Sequence, residues 1–267
     1  MTSAASASPA WHRRLPRAPG LQPLIDVATD GAKELELYRL RPERGVEVTL
    51  AFPGREAATV LLDGAVEFRS VTEKHRAVRR GPFSGPASTL YLPAGAAATV
   101  TATEPDSELL VATAATEAGG EPHFVGPEDV EVLDRGAGPY RREVHNILVT
   151  DPFATRLLVG ETFNPPGGWS SYPPHKHDAE NGEPYLEEVY YYRTDPPRGF
   201  GFQGLYAKDG TLDQAVRVQD GDAALIQRGY HPVAAAPGYR LYYFWALAGV
   251  QRKLVVFEDE AHAWVAG

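Results

Sequence analysis

The sequence contains no cysteine and a single methionine in 267 residues. Without cysteine there is neither a disulfide nor a thiolate ligand, so any bound metal must be held by histidine and carboxylate. No apolar run approaches the roughly 20 residues needed to cross a bilayer as a helix. Cations are also short: 26 Lys and Arg stand against 35 Asp and Glu, a formal net charge of −9. They are scattered and form no basic block. This argues against nucleic acid and anionic membrane as partners, while allowing a small anion held by one local Arg. Segments with helical apolar periodicity are few.

What is abundant points to strands and turns. The 26 Gly and 23 Pro punctuate short β-prone runs, as at Pro53-Gly54, Asp63-Gly64, Gly85-Pro86 and Pro93-Ala94-Gly95. That spacing suggests an all-β sandwich or barrel. Met1 to Gly20 is rich in Ala, Ser, Pro and Arg and lacks the apolar core of a signal peptide. Residues 1–25 are therefore expected to be a mobile leader, and the protein cytoplasmic. The Gly-, Glu- and Pro-rich stretch 117–138 reads as a linker between two β-barrel-like halves, 26–116 and 139–267, descended from a duplication. Leu92-Pro93-Ala94-Gly95 occupies in the first half the place that Gln227-Arg228-Gly229 occupies in the second. Open β edges make a homo-oligomer an expectation.

The second half carries the chemistry. In Trp169-Ser-Ser-Tyr-Pro-Pro-His175-Lys-His177 the two histidines are one residue apart, so on an extended segment both point the same way and Lys176 points away. Glu187-Glu188 follows, opening Val189-Tyr190-Tyr191-Tyr192, and His231 stands alone after Gly229-Tyr230. The order His-x-His, Glu, His is that of a mononuclear metal site of the cupin type. Periodicity leaves Glu187 and Glu188 open, because they face opposite ways and aromatics follow on both faces. His75, His123, His145 and His262 have weaker claims. Ser170, Ser171 and Tyr172 lie just before the ligands and are expected to border the pocket with Tyr190 and Gln203. Glu161 and Tyr192 are further inward-facing candidates. Arg156, Arg193 and Arg240 are available for an anionic substrate.

The chain resembles the 5-deoxy-glucuronate isomerases of myo-inositol degradation. The likeness is carried by Trp169 to Asp178, Leu186-Glu-Glu-Val-Tyr-Tyr191, Gly229-Tyr-His-Pro-Val233, Pro237-Gly-Tyr239 with Tyr242-Tyr243, and Ser88-Thr-Leu-Tyr-Leu-Pro93. Gly168 departs from it, standing where a polar residue, commonly Asn, precedes the Trp-Ser-Ser. The resemblance implies a bicupin with one metal in the C-terminal barrel. It also implies isomerisation of 5-deoxy-glucuronate to 2-deoxy-5-keto-gluconate, with a small anionic sugar acid as partner. In the related ketol-isomerases of 4-deoxy-5-hexulose uronate, from pectin breakdown, the ligand glutamate precedes a Val-Tyr pair. That implies Glu188, and so a ligand set of His175, His177, Glu188 and His231. Such a set suits one divalent ion, zinc first, with Mn, Fe and Ni also compatible. The alternatives are that pectin-pathway isomerase, a dioxygen-consuming cupin, and a non-catalytic sugar-binding cupin. The last is disfavoured by the complete ligand set and by the lack of a DNA-binding motif.

Overall fold

The computed structural model describes residues 8–266 and is all-β, with only short 3₁₀ turns besides strands. In the first half, the main path of the larger sheet runs Gly20–Ile25, Leu35–Arg41, Glu108–Ala115, Arg55–Arg69, Thr89–Leu92, His123–Val125. In the second half, a seven-stranded sheet runs Glu131–Arg135, Arg142–Leu148, Leu157–Asn164, Arg240–Ala248, Glu187–Asp195, Asp222–Ile226, His12–Arg14. From the second strand of the latter onward, the two sheets repeat one order. Thr89–Leu92 and Asp222–Ile226 hold equivalent places in it. Each is followed by a left-handed glycine, Gly95 (φ 82°) or Gly229 (φ 87°).

Period two along the strands sends alternate side chains to different cores. Val189 and Tyr191 pack with Phe244, Ala246, Leu157 and Val159 against Leu35, Leu37, Val60 and Leu110 of the first half. Tyr190, Tyr192, Tyr243 and Trp245 instead face the interior of the second half, with Leu205, Val218 and Val233. A third cluster around Leu61, Phe68, Val100 and Val111 fills the first half. A fully buried side chain of this kind stabilises by about 1.5–3 kcal/mol, so the back-to-back packing makes a substantial joint core. A smaller sheet of Trp169–Ser170, Val233–Ala235, Phe200–Tyr206 and Asp213–Gln219 closes the other face of the second half.

Two buried carboxylates lock the halves reciprocally. Glu187 accepts backbone N–H bonds from Lys33, Glu34 and Leu35 at 2.8–3.0 Å. Glu56 accepts them from Thr155 at 2.9 Å and from Arg156 and Leu157 at 2.6 Å. Registers correspond as well: Glu56 and Leu35 both lie opposite Ala114, and Glu187 and Leu157 both lie opposite Ala248. Each acid thus satisfies the donors at the start of the other half's strand.

Two expectations change here. Residues 1–7 lie outside the described residues, but the rest of the expected leader is built into the sheets. His12–Arg14 pairs with Asp222–Ala224, and Gly20–Ile25 pairs with Leu35–Arg41. The physical reason is burial: His12 bonds Asp222 at 3.0 Å inside the second half. The expected linker is likewise paired at both ends, His123–Val125 to the first half and Glu131–Arg135 to the second.

Candidate metal centre and cavity

Three of the four expected ligands converge. One ligand atom each from His177, Glu188 and His231 lies within 4.8 Å of the others, and all three residues are buried. Hydrogen bonds from the outer ring nitrogens fix which nitrogens face inward. The His177 Nδ1–H donates to the Leu186 carbonyl at 2.6 Å, and the His231 Nδ1–H donates to the Gly229 carbonyl at 2.9 Å. Both Nε2 lone pairs are thereby turned toward Glu188, whose Oε2 lies 3.1 Å from one and 3.3 Å from the other. His231 Nε2 is buried without a hydrogen-bond partner among the described residues. Converging acceptors with no donor between them are a site for a cation, and bonds to the outer nitrogens are the usual support of histidine ligands. His175 stands beside the trio, its ring centroid 4.9 Å from His231 and 6.4 Å from His177.

Electrostatics agree with this arrangement. Burial alone would raise the Glu188 carboxyl, but the His177 and His231 imidazoles beside it pull it down to about 2. Burial, with His231 and His177 close by, holds His175 well below its ordinary value, so this imidazole is neutral.

The chain between the ligands is tied down locally. Lys176 points away from the centre, as its alternation with the histidines requires. It pairs with Glu180 at 3.0 Å, Glu183 at 3.3 Å, and Asp178. Asp178 also accepts the Gly229 N–H at 3.0 Å, linking the His175–His177 segment to the turn that carries His231. Gly229 has no room for a side chain, because a Cβ there would meet the Tyr206 carbonyl at 2.7 Å.

The centre opens into a cavity of about 340 Å³, a volume suited to a small ligand. Of the expected pocket residues, Ser171, Tyr172 and Tyr190 line it. Tyr190 and Ser171 share a hydrogen bond at 3.2 Å. Ser170 and Gln203 are placed differently. Ser170 is buried behind the wall, accepting hydrogen bonds from Tyr243 at 2.9 Å and Asn164 at 2.8 Å. Gln203 lies behind His231, donating to its carbonyl at 2.9 Å while accepting from the Tyr192 hydroxyl at 2.7 Å. Both support the site from outside, because side chains deep in the second half's core are already enclosed by the wall tyrosines. Glu161 lies on the opposite face of its strand, paired with Arg79 at 2.7 Å. Arg156 pairs with Glu34, Arg193 with Glu108 and Asp220, and Arg240 with Asp195. None of these three arginines lines the cavity.

Thr162, Tyr243, Trp245, Arg142 and Glu258 do line it, and sequence reasoning did not select them as site residues. Strand parity was the available signal for two of them, since Tyr243 and Trp245 lie on one face of Arg240–Ala248. Burial pushes Tyr190 and Tyr243 above the usual phenol range, so both are neutral hydrogen-bond donors. A larger cavity of about 650 Å³, between Phe83 and Phe163, contains His145 but none of the converging ligands. Chemistry rather than size decides which cavity is the site.

The KduI/IolB family description matches residues 15–265. The 5-deoxy-glucuronate isomerase of Geobacillus kaustophilus is 40% identical over 216 residues, 79% of this chain and 78% of that one. The protein of that name from Bacillus subtilis strain 168 is 38% identical over 183 residues, 67% of each chain. An IolB-like protein from Salmonella typhimurium superposes with a TM-score of 0.91 at 35% identity, covering 96% of this chain and 99% of that one. A Bacillus subtilis oxalate decarboxylase shares the fold alone, with a TM-score of 0.62 and 13% identity over 93% of this chain and 77% of its own. With matches that run nearly from end to end, this all-β, cupin-like chain belongs to the KduI/IolB family.

Proposed function

We propose that this protein is a 5-deoxy-glucuronate isomerase, interconverting that aldose with 2-deoxy-5-keto-gluconate at the centre in its second half. The carrying observation is the convergence of His177, Glu188 and His231 at the cavity that Tyr190 and Ser171 line. Relatives bearing the isomerase name support the substrate. The repeated strand order supports reading the chain as two cupin barrels, the first from strands between residues 20 and 125 and the second from strands between residues 131 and 248 with His12–Arg14 at its edge, and the converging ligands lie in the second.

His175, His177, Glu188 and His231 would hold one divalent ion, zinc by first choice, because the reaction requires neither redox change nor octahedral geometry. Such an ion supplies Lewis acidity, which favours the charge that develops on oxygen as carbonyl and hydroxyl exchange between C1 and C2. The protein's own groups do the positioning. The Leu186 and Gly229 carbonyls hold the two imidazoles in the tautomer that presents Nε2 inward. Tyr190 and Tyr243, neutral by burial, offer hydroxyls to the sugar. Trp245, Leu247, Leu254 and Val256 give the cavity apolar walls, which limit water around the reacting carbons.

The test is a substrate comparison. Purified protein should convert 5-deoxy-glucuronate with kcat/KM roughly 100-fold or more above that for 4-deoxy-5-hexulose uronate, about 3 kcal/mol of discrimination. The reverse preference assigns it to the pectin-pathway reaction, and turnover of neither overturns the isomerase reading.

A further inference from the structure

Resting on that reading, we propose that Arg142 holds the substrate carboxylate, assisted by Arg135, and so makes the enzyme selective for sugar acids over neutral sugars. Arg142 and Arg135 both line the cavity that contains His175, His177 and Glu188. They lie directly opposite each other in the pairing of Glu131–Arg135 with Arg142–Leu148. Like charges in directly opposed positions destabilise a sheet, and an anion held between the two guanidiniums would relieve that. Among the described residues neither arginine has a carboxylate partner, whereas Arg156, Arg193 and Arg240 are all paired.

Arg142 is also built into place. It is half-buried, and its Nη1 donates to the Tyr140 carbonyl at 3.2 Å, leaving the rest of the guanidinium fork free. The hairpin that carries it turns at Gly136, φ 76°, where a Cβ would come within 2.7 Å of that same Nη1. A planar fork held by one edge at a cavity wall is a form in which arginine can grip a carboxylate in two-point fashion. The ligand centre and the arginine pair belong to one cavity, so a hexuronate can present its carbonyl end to the former and its carboxylate to the latter.

The experiment compares wild type with Arg142→Met and Arg142→Lys on 5-deoxy-glucuronate and on 5-deoxy-glucose, which has CH₂OH in place of the carboxylate. Arg142→Met should raise KM for the acid about 100-fold while leaving kcat/KM for the neutral sugar unchanged, and Arg142→Lys should restore part of the loss. An unchanged KM for the acid overturns the assignment, as does an equal loss on both substrates. Calorimetric titration with glucuronate, read without turnover, separates this inference from the reaction assignment. Weaker glucuronate binding in Arg142→Met, with binding of glucose unaffected, upholds Arg142 even if the wild type isomerises nothing. Equal glucuronate affinity in both proteins rejects Arg142 whatever the wild type turns over.

Discussion

His177→Ala is expected to lower turnover of 5-deoxy-glucuronate by roughly 10³-fold or more while the protein remains folded. The histidine provides one of three converging ligand atoms, and its Nε2 is among the groups that hold Glu188 ionised inside the protein. Its contribution to folding is small by comparison. The second half's core is built from Tyr192, Leu205, Val218, Leu241 and their neighbours, and His177 is not part of it. Circular dichroism and bound-metal analysis on the variant separate the two contributions. Native-like spectra with metal and activity lost together are the expected result. A metal-free His177→Ala protein with wild-type turnover contradicts the site.

The largest effect on stability is expected at a distance from the centre. Arg79 of the first half and Glu161 of the second form a buried pair at 2.7 and 2.9 Å, with the Tyr242 hydroxyl donating to the same carboxylate at 2.8 Å. Arg79→Met leaves Glu161 as an uncompensated buried charge and should cost about 3–5 kcal/mol, whereas Arg79→Met with Glu161→Leu should cost far less. The pH dependence has a defined sign. Burial alone would raise the Glu161 carboxyl, but the Arg79 charge, with hydrogen bonds from His145, Arg79 and Tyr242, holds it below its ordinary value of 4.5. Its contribution in the wild type is therefore complete above the unfolded value and is lost as pH falls through the lower folded one. In Arg79→Met the burial effect dominates and the folded value rises, so the variant's deficit should shrink as pH falls toward 4.5. Urea unfolding of the three proteins between pH 7 and pH 4.5 measures this. A deficit that grows on acidification contradicts the assignment.

The convergence of His177, Glu188 and His231 was legible because its signal is local: histidines at alternate positions, then a carboxylate, then a further histidine. The choice between Glu187 and Glu188 was not legible from periodicity, and the structure gives the reason. Both faces of Glu187–Asp195 are buried, one against the first half and one in the second half's interior, so no polar face marks the direction. Glu187 is occupied in bonding Lys33, Glu34 and Leu35, and its partners are 152–154 residues away. Distance in sequence also hid the arginines. What removes Arg156 and Arg193 from consideration is their pairing with Glu34 and Glu108 of the other half. His12–Arg14 was hidden similarly: three residues carry no periodic pattern, and their partners are Ala224, Ala223 and Asp222. The strands themselves were readable from turn residues and alternation, as at Leu35–Arg41 and Leu157–Asn164. Gln203 faced the correct interior, but its depth behind His231 depends on packing that no local pattern encodes.

The most direct test of a metal-dependent isomerase is turnover of 5-deoxy-glucuronate by chelator-stripped protein, before and after single divalent ions are added back. The account predicts negligible activity after stripping and recovery with one ion, zinc first, at about one equivalent per chain. Full turnover by protein that elemental analysis shows to be metal-free would contradict it.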